Sequence, residues 1–224
     1  MQNSEKKPHP RVKPKTGQPS LRSGWSWVSE RGLRVATGEA TLARYAALKS
    51  CTFPEIEDMI PADDSLLLVL HRGMAASADL RKALVSPLTG AVPTTGTLYE
   101  IAVEYGGAAG PDLTALAERA GMSESEYICS HAAVEYTVAF LGFQPGFPYL
   151  RGLPRALHAP RRTSPRVQVA AGSVAIGGAY SGIYPSGGPG GWQIIGRTAS
   201  VLFDPHRDPP ALLMPGDRVR FIPS

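Results

Sequence analysis

Residues 141–198 read LGFQPGFPYLRGLPRALHAPRRTSPRVQVAAGSVAIGGAYSGIYPSGGPGGWQIIGRT. Glycine and proline are frequent in this stretch, yet aromatic and branched apolar side chains recur between them. Low-complexity linkers lack such side chains because they have no core to fill. The stretch therefore predicts folded structure with many tight turns and a ligand site rather than a linker.

The charge of this region is one-sided. Between Tyr136 and Phe203 there is no Asp, Glu or Lys, but there are six arginines. A guanidinium group binds carboxylates and phosphates through paired hydrogen bonds, so an arginine-only basic stretch indicates anion recognition. For any single arginine the alternative stays open that it is solvated or pairs with a carboxylate elsewhere in the fold. The six are Arg151, Arg155, Arg161, Arg162, Arg166 and Arg197.

Length and charge limit the class of protein. A chain of 224 residues can form one large domain or two small ones with a proper core. Residues 1–22 carry a charge of +5 and the remainder −1, so the basic balance is no argument for nucleic-acid binding by the folded part. This polar, proline-rich segment predicts a disordered basic tail. Neither a secretory signal nor a membrane helix is indicated, which makes a cytoplasmic location the default expectation.

Two cysteines, Cys51 and Cys129, show no spacing typical of a zinc site or a disulfide framework. Both fall on predicted helical segments and are interpreted as buried core side chains rather than nucleophiles. No phosphate loop, zinc-protease motif or nucleophile elbow is present. The sequence therefore predicts no metal site.

The first half of the chain predicts a small α+β domain, assigned to residues 23–92. Residues 25–35 can form a strand on either side of a polar turn, and residues 39–50 have helical periodicity. The apolar run 65–70 predicts a strand buried on both faces. Ser77 predicts the cap of a helix that ends before Pro87.

The second half, residues 93–224, predicts a mainly β domain with one helical pair. Residues 98–105 alternate between apolar and acidic side chains, as in a half-buried strand. Helices are predicted from Asp112 to Ala120 and, after the capping box Ser123–Glu126, to about Ala132. Short strands separated by turns are typical of a barrel or sandwich. They are predicted at residues 134–140, 167–169, 173–176, 192–195, 201–203 and 219–222.

The helical pair at residues 113–131 resembles a DNA-binding helix-turn-helix in rhythm. Its second helix, however, carries Glu124 and Glu126 and no basic residue before His131, so a phosphate backbone would repel it. A helical hairpin that packs on the barrel is the better interpretation. His131 closes this helix and leads to the arginine-rich stretch, which makes it either a functional residue or a cap stabilised by the helix dipole.

Four sequence blocks resemble the B subunits of bacterial ATP-dependent 5-oxoprolinase, a family also labelled allophanate hydrolase subunit 1, carboxyltransferase domain subdomain C and D, and sporulation-kinase inhibitor. The resemblance implies a small N-terminal α/β sandwich domain and a C-terminal cyclophilin-like β-barrel. The blocks are GFQPGFPYLRGL at 142–153, APRRTSPRVQVAAGSVAIGG at 159–178, GIYPSGGPGGWQIIGRT at 182–198 and LFDPHRDPPALLMPGDRVRF at 202–221.

The resemblance also implies an activity, partners and site residues. Together with the C and A subunits of 5-oxoprolinase, such a chain hydrolyses 5-oxoproline to glutamate with consumption of ATP, which is held with Mg²⁺ and the partner subunits. No nucleic acid or membrane partner is expected. The implied catalytic residues are His131, Arg161, Arg166 and Arg197. The implied binding residues for substrate or nucleotide are Pro145, Gly146, Phe147, Tyr149, Tyr184, Gly190, Gly191 and Trp192.

These residues suggest a division of labour within the complex. Arginines suit a transferring phosphate and a substrate carboxylate. A stretch without a carboxylate, however, supplies neither a Mg²⁺ ligand nor a carboxylate base. The hypothesis is therefore an anion-binding half-site that is inactive alone. Three alternatives stay open: an inhibitor that binds a sensor histidine kinase, a subunit of an enzyme for urea-type amides and, less favoured because a shared fold does not carry a shared site, a prolyl isomerase.

Overall fold

The computed structural model describes residues 24–88 and 96–224. The predicted tail, residues 1–22, and the predicted boundary between residues 92 and 93 lie outside the described residues. Within the described parts, a four-stranded sheet with two helices precedes a closed seven-stranded barrel. The predicted α+β class with a C-terminal barrel is confirmed, and the division into two domains stays a prediction.

The N-terminal sheet is antiparallel throughout, with the strand order β1-β2-β4-β3. The edge strand β3 was not predicted, because its sequence IEDMIP lacks a clean alternation and exposes two acidic residues. An edge strand has only one neighbouring strand and tolerates such polarity. The elements are β1 (Trp25–Trp27), β2 (Gly32–Ala36), α1 (Thr41–Lys49), β3 (Ile56–Pro61), β4 (Ser65–Leu70) and α2 (Ala78–Val85).

The core of this part lies on one face of the sheet. Strand β4 buries Leu66, Leu68 and Leu70 in the cluster that also holds side chains of α1 and α2, whereas Leu67 and Val69 are only partly buried. The prediction that β4 is buried on both faces is therefore wrong in part, because helices cover one face only. The predicted cap of α2 is confirmed by a 3.1 Å hydrogen bond from the Leu80 backbone N–H to the Ser77 hydroxyl.

The barrel closes through seven strands. The remaining elements, in chain order, are β5 (Leu98–Tyr105), α3 (Leu113–Ala120), α4 (Glu124–Ala132), β6 (Glu135–Leu141), β7 (Pro148–Arg151), β8 (Arg166–Val169), β9 (Ser173–Gly177), β10 (Tyr180–Ile183), β11 (Gly188–Gly190), β12 (Gln193–Arg197) and β13 (Arg218–Pro223). The barrel order is β10-β7-β6-β13-β5-β12-β9, with β9 paired to β10. Among these barrel strands of the described residues, only the β13–β5 pair is parallel. Strands β8 and β11 form a separate two-stranded ribbon.

The predicted helical hairpin packs on the barrel core, as expected from its apolar stripe. Leu113, Leu116 and Tyr127 belong to the same buried cluster as the interior residues of the barrel strands. Gly121, with φ of 68°, ends α3, and the predicted capping box at Ser123 is present. No helix in the described parts of the chain is long and apolar enough to span a membrane.

Two expectations about the remaining residues are wrong. Residues 201–203 form no strand: only Phe203 makes an isolated bridge, because the following loop is rich in prolines that lack a backbone donor. Arg207 instead donates hydrogen bonds to carbonyl groups of that loop. Both cysteines are exposed rather than buried, since Cys51 lies just past the end of α1 and Cys129 lies on the outer side of α4.

Candidate functional site

Phe147 and the four aromatic side chains of the glycine- and proline-rich stretch that contact its ring form a cluster distinct from the main barrel core. Phe147 lies at its centre, with ring centroids 5.2 Å from Tyr184 and 5.3 Å from both Trp192 and Tyr149. Phe143 packs edge-on against Phe147 at 5.5 Å. We call these five residues the aromatic surface. Phe147, Tyr184 and Trp192 form its buried floor, Tyr149 is partly buried and Phe143 is exposed.

Glycines beside these rings are needed for steric reasons. A Cβ on Gly177 would overlap the indole ring of Trp192, and a Cβ on Gly190 would overlap the hydroxyl group of Tyr184. The predicted binding residue Gly190 therefore has an evident packing role, which is to leave room for the Tyr184 ring beside the ribbon strand β11. The floor of the aromatic surface is thus set by backbone positions without side chains.

The other predicted binding residues shape the loops around the floor. Gly146 has φ of 77° and is buried against Phe203, so a side chain at that position would be strained and crowded. Pro145 is exposed next to it. The Gly191 carbonyl accepts a 2.7 Å hydrogen bond from the backbone N–H of Arg162. The structure therefore brings the predicted binding residues together around one surface.

Arg161 is the predicted catalytic residue that lies on this surface. Its guanidinium carbon is 5.7 Å from the centroid of the Trp192 ring, a distance at which a cation is attracted by an aromatic face. Arg161 is exposed, and no carboxylate among residues 24–88 and 96–224 forms an ion pair with it. Arg161 therefore presents an uncompensated positive charge beside an apolar floor.

Arg166 is engaged with a carboxylate from outside the arginine-rich stretch. Its two terminal nitrogens donate hydrogen bonds of 2.9 and 2.8 Å to the two oxygens of Asp112, which is nearly buried. Asp112 also accepts a 2.6 Å hydrogen bond from the Ile194 backbone N–H and one of 3.3 Å from Arg162. This arrangement favours a structural role for Arg166, because its paired hydrogen bonds are already used.

Two further arginines differ in whether a carboxylate binds them. Arg151 lies 3.0 Å from Asp63, in the turn between β3 and β4, and Asp63 also accepts a hydrogen bond from Tyr180. Arg197, a predicted catalytic residue, is exposed and donates a 3.2 Å hydrogen bond to the Ala171 carbonyl. It does not contact the aromatic surface. Of the four predicted catalytic side chains, Arg161 is the one whose guanidinium lies over a ring of the aromatic surface. Arg166 lies opposite Gly190 in the β8–β11 ribbon, but its guanidinium is bound by Asp112.

His131 lies inside the barrel core and is fully buried. Its Nδ1 is 2.8 Å from the Tyr105 hydroxyl and its Nε2 is 3.0 Å from the Ser181 hydroxyl. The ring stacks on Phe221 with centroids 4.7 Å apart. Every polar atom of the imidazole therefore has a partner within the chain, and no face of it is open to a substrate.

Burial shifts the pKa values of His131 and its partner Tyr105. With no carboxylate beside it, desolvation lowers the pKa of His131 to about 3, so the ring is neutral at ordinary pH. Burial also raises the pKa of Tyr105, which keeps its hydroxyl protonated. A neutral imidazole between two hydroxyl groups is a satisfied core network, and its geometry favours a structural role over a catalytic one.

Comparison with known proteins identifies the family. The family model described as carboxyltransferase domain, subdomain C and D, matches residues 23–213. The chain belongs to this family. Membership agrees with the resemblance carried by the four sequence blocks, and the match extends it through the N-terminal sheet.

Relatives of this carboxyltransferase subdomain C and D chain include a curated bacterial protein. The 5-oxoprolinase B subunit of Escherichia coli O157:H7 is 48% identical over 173 residues, which is 76% of this chain and 79% of that protein. Among solved structures, TTHA0988 has a TM-score of 0.73 at 36% identity and is matched over 87% of this chain. The match spans only 40% of the TTHA0988 chain.

The fold of the subdomain C and D family also occurs inside larger enzymes. The urea amidolyase of K. lactis superposes on 89% of this chain with a TM-score of 0.64 at 19% identity, and the match covers 15% of that chain. Such a likeness shows a shared fold and carries no argument about a shared substrate.

The described residues of this family member do not form a Mg²⁺ site on their own. Within residues 24–88 and 96–224, no three His, Cys, Asp or Glu side chains cluster closely enough to hold a metal ion. A nucleoside triphosphate also needs more than one free cationic side chain, whereas the aromatic surface offers a single one, Arg161, among the described residues. The described residues therefore do not fit a complete Mg²⁺–ATP site.

Sequence reasoning missed three residues at or near the site of this carboxyltransferase subdomain. Asp112 lies 54 residues before its partner Arg166, and no local pattern marks that pairing. Asp63 lies 117 residues before Tyr180, an even larger separation. Phe143, by contrast, is part of the GFQPGFPYLRGL block and could have been selected with its neighbours.

Proposed function

We propose that this chain is the B subunit of a heteromeric 5-oxoprolinase, which converts 5-oxoproline to glutamate with consumption of ATP. The observation that carries the proposal is the 48% identity to a protein of that name over three quarters of the chain. The aromatic surface with its unpaired Arg161 is compatible with a small, flat, anionic substrate.

The proposed role of the aromatic surface is to hold one side of the substrate. Arg161 binds the carboxylate of 5-oxoproline, since a guanidinium–carboxylate hydrogen bond is among the stronger polar contacts in proteins. The partly buried Tyr149 and the exposed Phe143 provide an apolar wall for the lactam ring. Burial raises the pKa of the Tyr184 phenol, so this hydroxyl stays protonated and keeps its place in the floor beside Gly190.

The rest of the catalytic apparatus is proposed to come from the companion C and A subunits. ATP, when bound, supplies activation of the otherwise unreactive lactam carbonyl by phosphorylation of its oxygen. The metal ligands and the base for water attack belong to other chains in this proposal, because the aromatic surface contains no carboxylate. The chain alone is then inactive, and its half-site becomes productive only in the assembly.

Reconstitution tests this function. The chain and its companion C and A subunits are purified separately and mixed, and ATP hydrolysis that depends on 5-oxoproline is measured with each component omitted in turn. We expect activity only when this chain is present, and none from this chain alone. Full activity without it, or from it alone, would contradict the proposal. Activity with urea but not with 5-oxoproline would show that the substrate is a urea-type amide instead.

A further inference from the structure

The loop between β6 and β7 holds one residue in an unfavourable backbone conformation. Phe143 has φ of 68°, and it is the single non-glycine residue in the described parts of the chain with a positive φ. A bulky side chain is rarely found in this left-handed region, where glycine is the default. Backbone hydrogen bonds on both sides fix the loop, including one of 2.8 Å from Gln144 N–H to the Gly142 carbonyl and one of 3.0 Å from Phe147 N–H to the Gln144 carbonyl.

The side chain of Phe143 recovers little of this cost within the chain. It is 61% exposed, and its aromatic contacts are edge-on, with ring centroids 5.5 Å from Phe147 and 6.1 Å from Tyr184. A glycine at this position would remove the backbone strain, and a ring that faced the interior would be stabilised by burial of its apolar surface. Since Phe143 has neither advantage, its conformation is explained by something outside the chain that contacts the ring. Strained residues of this kind gather at functional contacts.

The surroundings of Phe143 suit another polypeptide. No residue in the loop from Leu141 to Pro148 is charged, and the adjacent floor is aromatic. Exposed rings next to a packed apolar floor are the groups that dominate binding energy in protein interfaces. In TTHA0988 the equivalent of this chain takes up 40% of a single polypeptide, so further polypeptide is attached to the same fold there.

We propose that Phe143 is an anchor residue that inserts into an apolar pocket of the companion C subunit, and that it thereby joins the aromatic surface to that protein. This inference rests on the proposed function, because it takes the companion from it. The strained loop then serves to project a ring that only the assembly buries. The interface lies at the rim of the half-site, so docking also closes one side of it.

The test compares three variants of the full chain for binding to the purified C subunit, with calorimetric titration as the measurement. Phe143→Gly removes both the ring and the strain, Phe143→Tyr keeps the ring, and Val28→Ala truncates a similarly exposed side chain, 57% accessible, beside the N-terminal sheet. We expect Phe143→Gly to weaken binding by about tenfold or more, as for interface anchors, and the other two variants to bind within about twofold of the wild type. The melting temperature of Phe143→Gly alone should equal or exceed that of the wild type.

The outcomes separate this inference from the proposed function. If the wild type binds the C subunit and Phe143→Gly binds equally well, the anchor is refuted while the assembly stands. If Phe143→Gly binds equally but the complex loses 5-oxoproline turnover, Phe143 contacts the small molecule instead, and the anchor is again refuted. If the wild-type chain does not bind the C subunit, both proposals fall. A lower melting temperature for Phe143→Gly would show that the ring serves the fold of the chain itself.

Discussion

Arg166 and Asp112 form a two-pronged ion pair, with Nη1 2.9 Å from Oδ2 and Nη2 2.8 Å from Oδ1. The pair joins the ribbon strand β8 to the residue in front of α3, and the Ile194 backbone N–H completes it from the start of β12. One carboxylate therefore fixes three segments around the aromatic surface. The sequence predicts that Arg166 binds an anionic ligand, whereas in the structure its guanidinium binds Asp112 and holds the fold together.

Breaking this pair should destabilise the chain. Arg166→Ala leaves the nearly buried Asp112 with fewer partners, and removal of one member of such a pair costs about 3 kcal/mol. We expect a loss of that order in the free energy of unfolding, measured by urea denaturation. Arg161→Ala is the matched control and should leave it nearly unchanged, because Arg161 is exposed and has no ion-pair partner among the described residues. Equal effects of the two variants would contradict the structural role of Arg166.

The buried His131 predicts a defined pH dependence of stability. Its pKa is about 3 in the folded chain and 6.5 when solvated, so between these values the unfolded state binds a proton that the folded state excludes. The His131 contribution is complete above pH 6.5 and falls by about 1.4 kcal/mol per pH unit as the pH decreases towards 3. Urea denaturation at several pH values measures it.

A histidine variant isolates that contribution. His131→Gln removes the titrating group and should flatten the dependence between pH 6.5 and 3, relative to the wild type. It should also lower stability at neutral pH by about 1–3 kcal/mol, because the hydroxyls of Tyr105 and Ser181 lose their imidazole partner. An unchanged slope in the variant would mean that other groups cause the acid sensitivity.

The floor of the aromatic surface should not tolerate a methyl group at Gly177. A Cβ there overlaps the Trp192 ring, so Gly177→Ala should cost about 1–3 kcal/mol of stability and alter the indole environment. Gly142→Ala is the control, since its nearest atom would lie at an ordinary 3.6 Å. Unfolding and tryptophan fluorescence of both variants measure the effect. A Gly177→Ala chain as stable as the control would refute this packing.

The Arg151–Asp63 ion pair between the N-terminal sheet and the barrel should contribute little energy. Asp63 and Arg151 have side-chain exposures of 59% and 42%, and exposed ion pairs contribute about 0.2–1 kcal/mol. A double-mutant cycle with Asp63→Ala and Arg151→Ala should give a coupling energy in that range, reduced by salt. A coupling energy several times larger would show that the two parts form one tightly joined unit.

Local patterns predicted most of the fold. The alternation in β5, the Ser77 cap, the Ser123 capping box and the stop at Gly121 are short-range features, and the structure has all of them. Residues 180–183 and 188–190, by contrast, resemble turns, because they are rich in glycine and serine and show no apolar alternation typical of a strand. They become β10 and β11 only through pairing with other strands of the fold.

The site was predictable in composition and less so in geometry. The rings at Phe147, Tyr149 and Trp192 could be selected because they lie within one stretch. The carboxylates that pair with Arg166 and Arg151, however, lie 54 and 88 residues away in the sequence, and no local pattern marks either pairing. His131 lies in the last turn of α4, where the sequence predicts either a functional residue or a dipole cap, but tertiary packing directs its side chain into the barrel core.

Steady-state kinetics of the reconstituted complex test the half-site most directly. The turnover number and the Michaelis constant for 5-oxoproline are compared between wild type, Arg161→Ala and Arg155→Ala, where Arg155 is an exposed arginine in a turn beside α3. We expect Arg161→Ala to raise the Michaelis constant by about tenfold or more, which corresponds to the loss of a charge-assisted hydrogen bond, and Arg155→Ala to behave as wild type. Unchanged kinetics in Arg161→Ala would contradict the anion half-site.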